Sequence, residues 1–118
     1  MTNNNFSKTA PQISAGLEAT AWALGDIYHD SDKGGVDDFR FWVIKTPASP
    51  GRGVFIALQQ IGGADAPLEL DISVRDDDGH GEPIEGDPTI SLVGVDPIIM
   101  AAVATTAARQ GCAFGRLG

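Results

Sequence analysis

The residues with the greatest capacity for chemistry in this sequence are the carboxylates of one short acidic segment. Between Asp65 and Asp87 the chain carries nine of its 16 acidic residues and one full positive charge, Arg75. Inside the segment, potential metal ligands alternate along the chain: Asp76, Asp78, His80 and Glu82. Carboxylate and imidazole groups together suit Ca²⁺, Mn²⁺ or Zn²⁺. This spacing makes the segment a weak candidate for a metal site.

The simpler interpretation of the same segment is a solvated turn. Asp and Gly form turns for local backbone reasons, and acids at a hairpin tip also discourage pairing between sheet edges. The spacing also differs from that of an EF-hand, which requires Gly at loop position 6 and Glu at position 12. We therefore favour the turn and predict no bound metal or other cofactor.

A second acidic stretch lies between the first predicted helix and the first predicted strand. It begins like a calcium loop at Asp30, but Phe41 stands where a bidentate acid is needed. Because Asp and Gly dominate residues 26–38, we predict a polar loop there.

Residues suited to nucleophilic catalysis are few. The only imidazoles are those of His29 and His80, and the only thiol is that of Cys112. A Cys112–His pair stays open, although a cysteine that follows an apolar helix is more often a small buried residue. The sequence contains neither a Gly-x-Ser-x-Gly elbow nor a phosphate-binding loop. We therefore expect a protein that is not an enzyme.

Composition and charge exclude several classes of partner. The 118 residues carry a net charge of −8, because Lys and Arg total only eight and are scattered singly. Nucleic acids and anionic membranes require clustered basic residues, so we expect neither as a direct partner. The single cysteine fits a reducing compartment, and the polar N-terminus lacks a secretory pattern. Together these features predict a cytoplasmic protein.

Hydrophobic periodicity predicts a helix near each end of the chain. After Pro11, apolar residues recur at helical spacing: Ile13, Leu17, Ala21 and Leu24. Gly25 would end this helix. Residues 13–24 can also be interpreted as a strand. Residues 1–10 are polar and are expected to form a loose arm before a single domain at 11–118. The second helix is predicted near the C-terminus. Asp96 caps this helix, Pro97 takes its first position, and Gly111 would end it. The helix is apolar on nearly all sides, so we expect it to be buried.

Four segments between the helices have strand character: 39–45, 54–61, 68–75 and 89–95. The third alternates regularly. The second is apolar on both of its faces, which favours a central strand that is covered on both sides or packed at a dimer seam. Short connections rich in turn residues favour sequential pairing. The predicted fold is an α+β two-layer sandwich, with a four-stranded, mainly antiparallel meander and both helices packed on it.

With no catalytic group identified, the hypothesis that we favour is protein recognition. A small acidic domain suits the blocking of a basic or nucleic-acid-handling site, as inhibitors, immunity proteins and anti-defence proteins do. The candidate contact residues are the acids Asp71, Asp76, Asp77, Asp78, Glu82 and Glu85. One alternative is a structural subunit of a phage or other symmetric assembly, and a second is a metal or small-ligand module. We also expect a homodimer that forms through the sheet or the C-terminal helix.

Overall fold

The computed structural model describes residues 5–18, 27–31, 37–45, 51–62, 65–87 and 89–117. Two helices, α1 (Asn5–Glu18) and α2 (Pro97–Leu117), flank the strands in the chain. The strands are β1 (Ile27–Ser31), β2 (Asp37–Lys45), β3 (Gly53–Ile61), β4 (Glu69–Arg75) and β5 (Thr89–Val93). They form one sheet in chain order, each antiparallel to the next. The predicted α+β meander with a helix at each end is confirmed.

The sheet contains one strand more than the four predicted. Residues 27–31, predicted as part of a loop, form β1 and pair with β2 from Ile27 opposite Ile44 to Ser31 opposite Arg40. We predicted a loop here because acidic residues dominate the stretch, and the two adjacent apolar residues Ile27 and Tyr28 were too few to indicate a strand. The candidate calcium loop thus lies on a hairpin, and its residues 32–36 fall outside the described residues.

Helix α1 begins earlier than the sequence pattern predicted. Residues 5–10 belong to the helix rather than to a loose arm, and Phe6 and Ala10 are buried in the core with Ile13 and Leu17. Pro11 therefore lies inside the helix. Its ring removes one backbone hydrogen bond of the helix, and the Pro11 side chain itself is exposed. The predicted positions Ala21, Leu24 and Gly25 lie outside the described residues.

Helix α2 begins as predicted. The Asp96 carboxylate accepts a hydrogen bond from the Ile98 N–H at 2.9 Å, which satisfies one of the free donors of the first turn. The helix then continues through Gly111, because glycine weakens a helix without requiring it to end. The expectation of burial all round is wrong for the described side chains. A stripe at a spacing of four faces the core, namely Met100, Ala104 and Ala108, while Ile98 is 71% exposed.

Both helices lie on one side of the sheet and contact each other above β3. The core between the layers contains Trp42, Ile56, Leu58 and Leu70 from the sheet. Trp42 donates a hydrogen bond from Nε1 to the Ser14 hydroxyl of α1 at 2.9 Å, so the one polar atom of this buried ring is satisfied. The layered packing leaves the other side of the sheet without an α-helix among the described residues; a short 3-10 helix, Asp77–Gly79, packs there against β2 and β3. None of the described helices is long and apolar enough to span a membrane.

Candidate functional site

The side chains of β2 to β5 that point away from the helices form a second surface, which we call the open face. The antiparallel register places these side chains in rows across the strands. One row contains Phe39, Gln59, Glu69 and Val93; the next contains Phe41, Ala57, Asp71 and Ser91; and the third contains Val43, Phe55, Ser73 and Thr89. The open face is therefore mainly apolar and aromatic on β2 and β3, with Gln59 as the polar exception, and mainly polar on β4 and β5, with Val93 as the apolar exception.

Three phenylalanines form a continuous cluster on the apolar half. The rings of Phe41 and Phe55 stack with centroids 5.2 Å apart, and Phe39 tilts against Phe41 at 5.9 Å. All three side chains are only partly buried. The Arg75 guanidinium lies 3.9 Å from the centre of the Phe55 ring and donates a hydrogen bond from Nε to the Ser73 hydroxyl at 2.9 Å. The cluster thus has a cation at one end and accessible ring surface elsewhere.

The polar half carries two carboxylates side by side. Glu69 and Asp71 are two residues apart on β4, so their side chains share the open face. A hydrogen bond to Asp71 raises the pKa of Glu69, and partial burial and the Asp71 charge raise it further, while a hydrogen bond from Gln59 opposes them. A raised pKa means that the Glu69 carboxyl keeps its proton to a higher pH in the fold than a free glutamate does in water. The pair therefore attracts a hydrogen-bond donor or a positive charge.

The acidic segment after β4 folds into a tight turn, residues 76–82, which we call the acidic turn. The Asp76 carbonyl accepts from the N–H groups of Gly79 and Gly81 at 2.9 Å, and its carboxylate accepts from the Glu82 N–H at 2.7 Å. The Asp78 carboxylate accepts from the Gly51 N–H at 3.1 Å. These two carboxylates therefore hold the turn in shape.

The backbone of the acidic turn explains part of its composition. Asp77, Asp78 and Gly79 have φ values of 52°, 56° and 97°, which lie in the left-handed region. Gly has no penalty there, and Asp tolerates it better than most residues. The turn packs against the β2 and β3 end of the open face. A Cβ on Gly79 would come within 2.6 Å of Val43 Cγ1, and one on Gly53 would meet the Asp78 carbonyl at 2.5 Å.

The structure places the weak metal candidates in one turn but does not assemble them into a site. Over the described parts of the chain, no group of three or more His, Cys, Asp and Glu side chains is arranged to hold a metal. Alternation along a chain brings ligands together only in an extended strand, and here the backbone turns left-handed at Asp77 and Asp78. The carboxylates of Asp76 and Asp78 bond to backbone N–H groups instead.

The candidate contact acids lie on β4 and in the residues that follow it. Asp71 lies on the open face, two rows from Arg75. The acidic turn begins directly after Arg75. The side chains of Asp76, Asp77, Glu82 and Glu85 are exposed, and that of Asp78 is partly buried. This region is joined to the rest of the fold by a hydrogen bond from the Ile84 N–H to the Val74 carbonyl, and by an ion pair of 3.5 Å between Arg52 and Asp87. The acids thus border the open face on one side and at one end.

Sequence reasoning missed two residues of this surface, Phe55 and Glu69. The signal for Phe55 was present, because β3 is apolar on both faces and only one face can contact the helices. The adjacent polar residues Gln59 and Gln60 of β3 lie on opposite sides of the sheet. Gln60 is buried and donates from Nε2 to the Ala66 carbonyl at 2.8 Å, which anchors the β3–β4 connection, whereas Gln59 contacts Glu69 on the open face.

Cys112 lies on α2 and His29 on β1, where side chains fall outside the described residues, so the hypothesis of a Cys112–His pair stays untested.

Comparison with known proteins gives no match. No protein-family model, no curated protein and no solved structure is significantly similar to this chain. The functional argument therefore depends on the geometry and charge of the chain itself.

Proposed function

We propose that this protein is a non-enzymatic recognition module that binds another protein through the open face and the acidic turn. The partner presents apolar side chains to the phenylalanine cluster and basic side chains to the surrounding acids. Such a module would block a basic site, in the manner of an inhibitor, an immunity protein or an anti-defence protein. The observation that supports this proposal is an accessible aromatic cluster bordered by carboxylates on a single rigid sheet.

The aromatic cluster supplies the apolar part of the interface. Interface hot spots are enriched in large side chains that are rigid before binding, because fixing them on contact costs little entropy. Phe41 is held between the rings of Phe39 and Phe55, so its orientation is set in the free protein. Aromatic faces also attract guanidinium and ammonium groups. The cluster therefore suits a partner surface that mixes apolar and basic side chains.

The charge distribution supplies the direction and speed of encounter. The net charge of −8 produces a negative field, and the acidic turn concentrates part of it at the end of the open face. Complementary fields raise association rates and reject partners of like charge. The Asp71 side chain, on the same face of β4 as Glu69, extends the negative border along that strand. A basic partner is thus steered toward the face that carries the aromatic cluster.

The test compares two open-face variants with two helix-side controls. The partner is captured from the host lysate with the wild-type protein, purified, and titrated against each variant by isothermal calorimetry. Phe41→Ala removes the central ring, and the triple change Asp77→Asn, Glu82→Gln and Glu85→Gln removes exposed charge. Asn keeps the left-handed backbone of the turn accessible, and all variants are checked for folding by circular dichroism.

The controls make the same chemical changes on the other side of the molecule. Glu18→Gln neutralises an exposed acid of α1, and Ile99→Ala shortens an exposed apolar side chain of α2. We expect Phe41→Ala to weaken binding by about 2 kcal/mol or more, as hot-spot truncations do. The charge variant should bind more weakly and depend less on salt. Equal affinity of the wild type and both open-face variants would refute the proposal.

A further inference from the structure

Strand β5 lies at one edge of the sheet, and it carries no charge. Its outer side has no neighbouring strand among those described. The segment Thr89–Val95 contains no charged residue, although the chain holds 16 acids. Exposed edges usually carry charges, prolines or bulges that prevent another strand from pairing with them. The opposite edge strand, β1, contains Asp30. The β5 edge therefore lacks the usual protection against pairing.

The hydrogen bonds between β4 and β5 show which backbone groups of β5 point outward, away from the sheet. The Gly94 N–H donates to the Leu68 carbonyl at 2.8 Å, so these two residues form a hydrogen-bonded pair in the β4–β5 register. In an antiparallel ladder such pairs alternate with pairs whose N–H and C=O groups point away from the partner strand. The inward groups therefore belong to Ile90 and Leu92. The outward groups belong to Thr89, Ser91 and Val93.

We propose that β5 pairs antiparallel with β5 of a second copy of this chain, about a two-fold axis through Ser91. This register places Ser91 opposite Ser91 of the second copy and Thr89 opposite Val93. It is the only symmetric register in which all three outward residues form hydrogen-bonded pairs, each of which exchanges two bonds. The two sheets become one continuous ten-stranded sheet. Because the two-fold axis is perpendicular to the sheet, both helix layers lie on the same side of it.

The side chains on the helix side of β5 support a second copy as the partner. Ile90 and Leu92 pack against the core but are only partly buried, because the sheet ends beside them. The proposed register places Ile90 opposite Leu92 of the second copy, so each apolar side chain gains an apolar neighbour across the joint. On the other side, Val93 is 57% exposed and lies opposite a threonine methyl group. The uncharged strand thus complements itself, residue by residue.

The charge of the protein sets how this dimer responds to salt. Each copy carries −8, so the two copies repel each other, and added salt should strengthen the dimer by screening. Binding of a basic partner to the open face has the opposite salt dependence. The dimer also joins the two open faces into one surface with two phenylalanine clusters. Dimer formation and partner binding can therefore fail independently, and each failure is recognisable.

The test measures the mass of the purified protein by sedimentation equilibrium over a wide concentration range. We expect a monomer–dimer equilibrium for the wild type that shifts toward the dimer at higher salt. Ser91→Pro removes an outward N–H without removing a bond to β4, and proline is tolerated at sheet edges. It should weaken the dimer by roughly tenfold or more, because it removes both bonds at the two-fold axis. Ser91→Ala keeps the N–H and is the matched control, with wild-type dimerisation expected.

A cysteine cross-link tests the register itself. Facing residues of a hydrogen-bonded antiparallel pair have Cα atoms about 5.5 Å apart, which a disulfide can span. Ser91→Cys should therefore form a covalent dimer on mild oxidation, and the wild type, which has only Cys112, shows the background. A wild type that stays monomeric at every concentration would overturn the proposal. So would a dimer that survives Ser91→Pro and is lost in Ile98→Glu, since α2 would then form the interface.

Discussion

The contact between the two helices leads to a sharp prediction at Gly16. A Cβ at this position would come within 2.5 Å of the Thr105 hydroxyl oxygen on α2, closer than non-bonded atoms approach each other. The Thr105 side chain has little freedom to move away, because it is β-branched and its hydroxyl donates to the Ala101 carbonyl at 3.0 Å. We therefore predict that Gly16→Ala destabilises the fold, although alanine is the better helix former.

The magnitude follows from two opposing effects. Replacing Gly by Ala inside a helix stabilises it by about 1 kcal/mol, whereas overpacking a close contact costs about 1–3 kcal/mol. The expected net loss for Gly16→Ala is about 1 kcal/mol, or roughly 4 °C in the melting temperature. In a Thr105→Ala background the clash is absent, so the same change should stabilise by about 0.5–1 kcal/mol. The coupling between the two positions is thus about 2 kcal/mol.

The assay is urea denaturation followed by circular dichroism for the four members of the cycle: wild type, both single variants and the double variant. Comparable m-values are required, so that midpoint shifts report stability alone. A Gly16→Ala variant more stable than wild type, or additive effects of the two changes, would show that the helices do not meet at this point. The packing of α1 on α2 would then need revision.

Three further predictions concern polar groups, and each is checked by denaturant titration. The pKa of Glu69 is raised, first by its hydrogen bond to Asp71, so just above pH 4.5, the ordinary value, the folded state binds more protons than the unfolded chain. The free energy of unfolding should therefore fall as the pH rises above 4.5. The Glu69→Gln variant should not show this fall and should be more stable than the wild type at pH 7. Asp96→Ala should cost about 1 kcal/mol through loss of the helix cap, with Asp96→Asn close to wild type. Ser14→Ala should cost about 1–2 kcal/mol, because it leaves the Trp42 Nε1–H without its partner, and a shift of tryptophan fluorescence should accompany it.

Local signals were sufficient for most of the secondary structure. The strict alternation of residues 68–75 identified β4 and its buried side, since period-two burial requires no knowledge of the partner strand. Asp96 and Pro97 located the start of α2, because caps act on the nearest backbone groups. The errors arose where a local signal competed with packing. Pro11 suggested a helix start, but burial of Phe6 extends α1 toward the N-terminus.

The candidate site was harder to predict than the fold. The acids of the turn were identified from composition, but their partners were not, because the bond from Glu82 to Asp76 depends on the path of the backbone. The phenylalanine cluster was only partly foreseen. Phe39 and Phe41 share one face of the predicted strand 39–45, whereas Phe55 joins them only through the β2–β3 register. A cluster built across strands cannot be read from one strand alone.

The sequence by itself determined the class of fold, the position of the acids and the absence of charge in β5, since each depends on residue types and spacing along the chain. The tertiary structure decided which side of β3 meets the helices and which side stays open. It also decided that Glu69 and Asp71 share one surface with the phenylalanines, and that β1 rather than β2 forms the other edge of the sheet. These are results of strand order and register, which arise from contacts between residues far apart in the chain.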